Sequence, residues 1–287
     1  MDPHPVANEC SRKHVLVTGA GSGIGKATAQ RFAQSGFHVF AGYHSLPSGP
    51  VPPAGGITAV KLDVTSAADI DVVRSELTDH VGGTGLDAVC NIAGVGAPAP
   101  LEAVSIEVVR GVFEVNVFGT LALTQAVLPL LTCAHGRIIT VGSIGDRLAV
   151  PYMGTVTSSK AATRFVNDTL RLELASSGVK AILVEPASIH TEAVDKAERD
   201  VEKEVDRLRA AGRNDLADEF ASAMDHFLEG ERNGSRPETV AETILQAATA
   251  RSPHRHYLVG RDSRKLALLA RLPDAMADAL KLRMIRK

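Results

Sequence analysis

Thr18-Gly19-Ala20-Gly21-Ser22-Gly23-Ile24-Gly25 follows the apolar run His14 to Thr18 and opens a segment of helical period beginning at Lys26. Glycines at these spacings let the backbone turn sharply, approach a pyrophosphate, and present free N–H groups at a helix N-terminus. A Gly-rich turn alone is a weak signal, and a strand before it with a helix after it is the context that strengthens it. The stretch therefore predicts the first βα turn of a dinucleotide-binding sheet, with Gly19, Ser22, Gly23, Ile24 and Gly25 at the phosphates.

Outward from this turn, short runs rich in Val and Ile alternate with longer helical segments, the pattern of βαβ units. Strands are expected at His14 to Thr18, His38 to Gly42, Thr58 to Leu62, Asp87 to Asn91, Arg137 to Val141, Ala181 to Val184 and His256 to Val259. Helices are expected over Lys26 to Ser35, Ala67 to His80, Ser105 to Leu131 and Thr157 to Ser176. Strands this short and apolar are covered on both faces. The fold class is α/β, a Rossmann-type, doubly wound, seven-stranded parallel sheet flanked by helices.

The chain has 287 residues, 45% of them hydrophobic, enough for one large domain over residues 13–287 behind a leader of residues 1–12. Formal net charge is -2, so no bulk field recruits nucleic acid or an anionic membrane, and a small hydrophobic ligand is the expected partner. Cys10, Cys90 and Cys133 are too few and too scattered for a disulfide framework, which fits a reducing compartment. The leader has no continuous apolar stretch, so neither a signal peptide nor a transmembrane segment is expected, and the protein is read as cytoplasmic.

Three segments stand apart in composition. Leu46 to Gly56 is rich in Pro and Gly and reads as an irregular loop. Residues 191–236 alternate charges, as a solvated helix or as a lid over a substrate pocket. Residues 262–287 carry leucines at helical spacing among basic side chains, and pack over the pocket or a neighbouring subunit rather than on a membrane surface.

A second constellation lies downstream: Ser143, then Tyr152, Val156 and Lys160. With the glycine turn and Asp63-Val64, Asn91-Ile92-Ala93-Gly94, Asn116, and Pro186 with Thr191, it resembles the short-chain dehydrogenase/reductase family, near its retinol and 17β-hydroxysteroid dehydrogenase branch. The resemblance runs from about Lys13 through Gly260. Ile92 and Ala187 depart from the N-N-A-G and P-G-x-x-x-T elements, and Val156 stands where the family pattern has its tyrosine.

The resemblance implies an NAD(P)-dependent oxidoreductase acting on a hydrophobic alcohol or ketone such as a steroid, retinoid or polyketide. Ser143 would orient the substrate oxygen, Lys160 would hold the nicotinamide ribose, and Asn116 would hold a water relay. Asp63, Val64, Asn91, Ala93, Gly94, Pro186 and Thr191 would line the cofactor. Val156 has no proton to give. Tyr152, four residues earlier, is the leading replacement donor, ahead of Asp146 and His190. A non-redox cyclase, isomerase or lyase on the same scaffold, and a silent dinucleotide-binding protein, are the alternatives. At the end of the second strand Tyr43, His44 and Ser45 offer no carboxylate to repel a 2′-phosphate, which favours NADP over NAD. A homodimer or homotetramer is implied by the resemblance.

Overall fold

A computed structural model describes residues 13–47 and 56–285. The expected leader, and most of the Pro/Gly-rich loop, lie outside the described residues.

Seven strands form one parallel sheet in the order β3-β2-β1-β4-β5-β6-β7. They are β1 His14–Val17, β2 His38–Tyr43, β3 Ile57–Lys61, β4 Ala88–Asn91, β5 Arg137–Val141, β6 Lys180–Pro186 and β7 His256–Val259. Every one matches an expected strand to within one or two residues at each end. The order reverses between β1 and β4, and ligands of open α/β sheets bind in the crevice outside the carboxyl ends at such a point.

Alternation along the strands decides what each face buries. Val15 and Val17 of β1 face α1 (Gly23–Gln34) and α8 (Pro237–Thr249), in a core with Phe32, Val39, Ile139, Val184 and Ile244. Leu16 points the other way, into a core with Phe40, Leu77, Leu123, Val127 and Ile138, built by α2 (Ala67–Val81) and α4 (Thr120–Cys133). Because both faces are covered, the strands show no apolar–polar alternation in sequence. Each such side chain contributes about 1.5–3 kcal/mol on full burial.

The expected helix from Ser105 to Leu131 is interrupted. It consists of α3 (Ile106–Phe113), a π-helical turn at Glu114–Gly119 and α4. Gly119 lies over the chain at Val64, where a β-carbon would stand 2.7 Å from the Val64 carbonyl oxygen. By length and hydropathy, 106–133 would pass for a membrane span. Leu123, Val127 and Leu131 are instead wholly buried in the second core.

α5 (Gly154–Glu173) begins three residues earlier than expected and ends in a short 3-10 turn at Leu174–Ser176. The charge-rich segment folds as a helical hairpin, α6 (Glu192–Ala210) and α7 (Asn214–Arg232), with its own core of Val201, Val205, Leu208, Phe220, Met224 and Leu228. The last elements are α9 (Ser263–Leu269) and α10 (Asp274–Ile285).

Candidate active site

The predicted residues converge on the carboxyl edge of the sheet. Thr18 fixes its central loop: the buried hydroxyl accepts hydrogen bonds from the Ile92 and Ala93 amides, both at 2.9 Å, tying the end of β1 to the loop after β4. Gly19 sits at φ +67°, and a β-carbon there would approach the Ala93 Cα to 3.0 Å. A β-carbon at Gly25 would lie 2.0 Å from the Gly19 carbonyl oxygen, so the turn closes on itself only without a side chain.

A dinucleotide fits this edge. Gly21 faces Tyr43, whose ring would lie 3.6 Å from an added β-carbon, leaving the turn open towards the end of β2. An anion already rests there: Glu192 Oε2 accepts from the Gly23 amide at 3.0 Å, on the N-terminus of α1. The neighbouring Thr191 side chain lies over Gly23. At the end of β2, exposed His44 stands 3.5 Å from Asp63, whose carboxylate also accepts from the Thr65 amide and hydroxyl. These bonds from Thr65 hold the Asp63 carboxyl below its ordinary pKa.

Two of the predicted cofactor residues turn inward. The Asn91 amide group is buried and donates to the Thr124 hydroxyl at 2.9 Å, away from the crevice. The Val64 side chain belongs to the second core. Only the backbone of these residues is left for a nucleotide.

On the other side of the loop, α5 presents Val156 and Lys160 one turn apart, hence on one face. Val156 lies against Gly96, where a β-carbon would be 3.2 Å from Cγ2. Lys160 Nζ donates to the Val141 carbonyl at 2.8 Å, two residues before Ser143. A β-carbon at Gly94 would stand 3.4 Å from that Nζ and 3.2 Å from Asn116 Oδ1, so Gly94, Lys160 and Asn116 meet at one point. Burial pushes the Lys160 ammonium down to about 8, against the opposing pull of the Asp146 carboxylate. Ser143 Oγ accepts from the Gly145 amide at 3.0 Å, which leaves its own proton to donate.

The Asn116 side chain is tied to the loop after β4 and to α5. Oδ1 accepts from the Val95 amide, while Nδ2 donates to the Val95 carbonyl and to the Ser159 hydroxyl. Its carbonyl, in the π-helical turn, accepts from the Thr163 hydroxyl at 3.0 Å. The residue clamps the loop over Lys160, and Thr155 adds a bond to the Ala97 carbonyl at 2.6 Å.

Tyr152 is not the replacement donor that its spacing suggested. It precedes α5 at φ +64°, so the face-sharing expected of a continuous helix does not apply. Its ring packs edge-on against Phe220 of α7, centroids 5.5 Å apart. Burial and the Glu219 carboxylate push the phenol up to about 12. His190 also points elsewhere, its Nδ1 2.6 Å from the Arg232 carbonyl.

Behind the site lies a charge network that the sequence reading missed. Arg147 grips Glu185 of β6 in two parallel hydrogen bonds of 2.6 and 2.8 Å. His256 of β7 faces Glu185 through Nδ1 at 2.9 Å and Asp168 of α5 through Nε2 at 3.1 Å. The Glu185 bond, chiefly, raises the His256 pKa and so favours the imidazolium, the form that donates from both nitrogens. Burial opposes ionisation of Glu185, yet His256 and Arg147 hold its pKa low. Asp146 has no exposed side-chain surface, and Oδ2 lacks a hydrogen-bond partner among the described residues. Burial, then the Glu185 charge, raises its pKa, although Arg164 lies 3.5 Å away. The available signal was a glutamate inside the otherwise apolar Ala181-Ile182-Leu183-Val184-Glu185 run.

The chain belongs to the short-chain dehydrogenase family, whose model matches residues 13–202; its members are NAD(P)-dependent oxidoreductases. It is 32% identical over 270 residues to a 3-amino-tetrahydro-pyrrolizinone reductase of Xenorhabdus hominickii, across 90% of each chain. Estradiol 17-beta-dehydrogenase 2 of Rattus norvegicus is 32% identical over 265 residues, 87% of this chain and 68% of that one. Among solved structures, a short chain dehydrogenase from Burkholderia cenocepacia in complex with NADP superposes with a TM-score of 0.70 at 26% identity, covering 96% of this chain and 98% of that one.

Proposed function

We propose that this enzyme interconverts a hydrophobic ring ketone and its alcohol, using NADP in preference to NAD. The observation that carries this reading is the meeting of Lys160, Asn116 and Gly94 beside the glycine turn, at the sheet's topological switch point, with Ser143 two residues beyond the Val141 carbonyl that Lys160 holds. The names of an estradiol dehydrogenase and a pyrrolizinone reductase support a ring alcohol or ketone as substrate. NADP is supported by exposed His44 and Ser45 at the end of β2, and by the NADP complex of the Burkholderia relative.

The nicotinamide, when bound, supplies or takes the hydride. Ser143, whose hydroxyl accepts from the Gly145 amide, directs its O–H as a hydrogen-bond donor at the substrate oxygen and so orients it. Asn116 and Thr155 fix the Val95–Ala97 loop that walls the site opposite α5. The α6–α7 hairpin is read as the lid, because Tyr152 and Met153, next to the N-terminus of α5, pack into its core. Val156 favours a second reading, in which a non-redox reaction proceeds on the same scaffold, because such a reaction needs no phenolic proton.

Incubation of ring ketones with C4-deuterated NADPH separates the two readings. Deuterium in the product with one NADPH oxidised per turnover is the expected result. Product formed without deuterium, and without NADPH oxidation, would overturn the redox reading.

A further inference from the structure

Four candidate positions supply no proton donor to the site, and Lys160 is the ionisable side chain that meets the Gly94 loop. Asp146 has no exposed side-chain surface and faces Arg147 and Arg164. Val156, one turn earlier on the same face of α5, has no ionisable atom. The Tyr152 ring packs on Phe220 of the hairpin core, and its phenol faces the exposed Glu219 carboxylate on α7. His190 is bound to the Arg232 carbonyl. Lys160 Nζ, by contrast, stands against Gly94 and Asn116, and its one hydrogen-bond acceptor among the described residues is the Val141 carbonyl. An ammonium has three donors, so two remain for ligands.

We infer that Lys160 is the general acid of this site: its ammonium, one helical turn beyond Val156, protonates the substrate oxygen directly or through one water. The inference rests on the redox reading above. As hydride adds to the carbonyl carbon, the C=O π bond opens and its electron pair settles on oxygen. That oxygen takes a proton from Nζ, leaving a neutral amine, which solvent reprotonates. In the alcohol-oxidising direction the neutral amine accepts the same proton. Two properties suit the group to this exchange. Burial brings its pKa to about 8, close to the ambient pH at which acid–base groups work best. The amine left behind keeps its hydrogen bond to a neutral carbonyl, with no carboxylate paired directly to it.

Asp146, on the 3-10 turn after Ser143, pulls the Lys160 pKa upward from behind. Arg164 on α5 and Arg147 on the turn stand beside Asp146 and moderate that pull, with Glu185 of β6 gripped by Arg147 beyond them. Asn116 and the Val141 carbonyl are neutral. A change in the Asp146 proton therefore shifts the Lys160 titration without removing it.

The test uses the whole chain and two independent readings. Nitrogen-15 lysine NMR, with the signal assigned by its loss in Lys160→Arg, should show the ammonium titrating near pH 8 in the enzyme without cofactor. The kcat for ketone reduction should fall about tenfold per pH unit above the same value. Lys160→Arg, which stays charged at all working pH values, should lose a factor of about 10²–10⁴ in kcat and become flat with pH. Lys160→Ala should regain turnover in proportion to added ethylammonium. An ammonium titrating near 10.5 would overturn the inference whatever the substrate. So would Lys160→Arg with unchanged kcat and only a raised KM. If no ketone consumes NADPH, the redox reading falls, and this inference with it; if NADPH is consumed but kcat is level through pH 8, only the lysine role falls.

Discussion

Glu192, the first residue of α6, places its Oε2 3.0 Å from the amide of Gly23, at the N-terminus of α1. Backbone amides and the helix dipole favour an anion there. A dinucleotide diphosphate in the same place would meet a like charge, so the carboxylate must move or repel. Glu192→Gln keeps the side-chain length and removes the charge. Charges at helix ends are worth about 0.3–1 kcal/mol, so NADPH should bind about two- to fivefold more tightly to the variant at low salt, and the gain should shrink as salt rises. Fluorescence titration of NADPH at two ionic strengths checks this. Binding that weakens would mean that Glu192 supports the ligand instead of competing with it.

Val156→Tyr places a phenol one turn before Lys160. Gly96 is the residue facing that position, so the new ring has a neighbour without a side chain. Turnover on a ring ketone should rise by at least about tenfold, the low side of an acid–base contribution, and its decline above pH 8 should diminish. A lower rate with unchanged NADPH affinity would argue for the non-redox reading.

Gly25→Ala places a methyl group 2.0 Å from the Gly19 carbonyl oxygen, a clash between backbone and backbone-attached atoms that no rotamer relieves. We expect a loss of about 1–3 kcal/mol or more in stability, read from urea unfolding, together with much weaker NADPH binding. A variant of normal stability and affinity would show that the turn opens in solution.

His256 links pH to stability. Its folded pKa is raised above the ordinary value of 6.5 by Glu185 and Asp168. The extra stability is therefore full below about pH 6.5 and fades as pH climbs through the raised folded pKa. Replacing His256 by Gln should cost about 1–3 kcal/mol at pH 6, because Glu185 and Asp168 each lose a charged donor, and distinctly less at pH 9. Urea midpoints of both proteins at the two pH values check the sign. A cost that grows towards pH 9 would contradict the imidazolium assignment.

What the sequence disclosed, and what it withheld, follows from the range of the interactions. The strands were legible because residues such as Leu16 and Val39 are buried on a two-faced sheet, giving short apolar runs between helical periods. The glycine turn was legible because Gly25 is dictated by contact with Gly19, a few residues away. The π-helical turn at Glu114–Gly119 was not, since apolar spacing continues through it and the close approach of Gly119 to Val64 joins distant segments. Tyr152 misled for a similar reason. Spacing of four implies a shared face only on a continuous helix, and its left-handed backbone lies outside α5. The Arg147–Glu185–His256 cluster joins a turn and two strands, which no local pattern relates.

Tyr152→Phe tests the assignment of roles within the site. The phenol oxygen lies by Glu219, while the ring supports Phe220, so loss of the hydroxyl removes a hairpin contact and no proton from the reaction. The kcat for ketone reduction should stay within about twofold, far inside the factor of about 10²–10⁴ that a lost general acid–base group costs. Tyr152→Ala, which also deletes the ring, should act on binding. An edge-on aromatic pair contributes about 0.5–1.5 kcal/mol beyond its buried area, and without it the α6–α7 hairpin should rest less firmly on the start of α5, raising KM for substrate by several-fold with little change in kcat. Steady-state kinetics on both variants, at pH 7 and pH 9, separates the two effects. A drop of tenfold or more in kcat for Tyr152→Phe would return the proton donor to Tyr152 and remove it from Lys160.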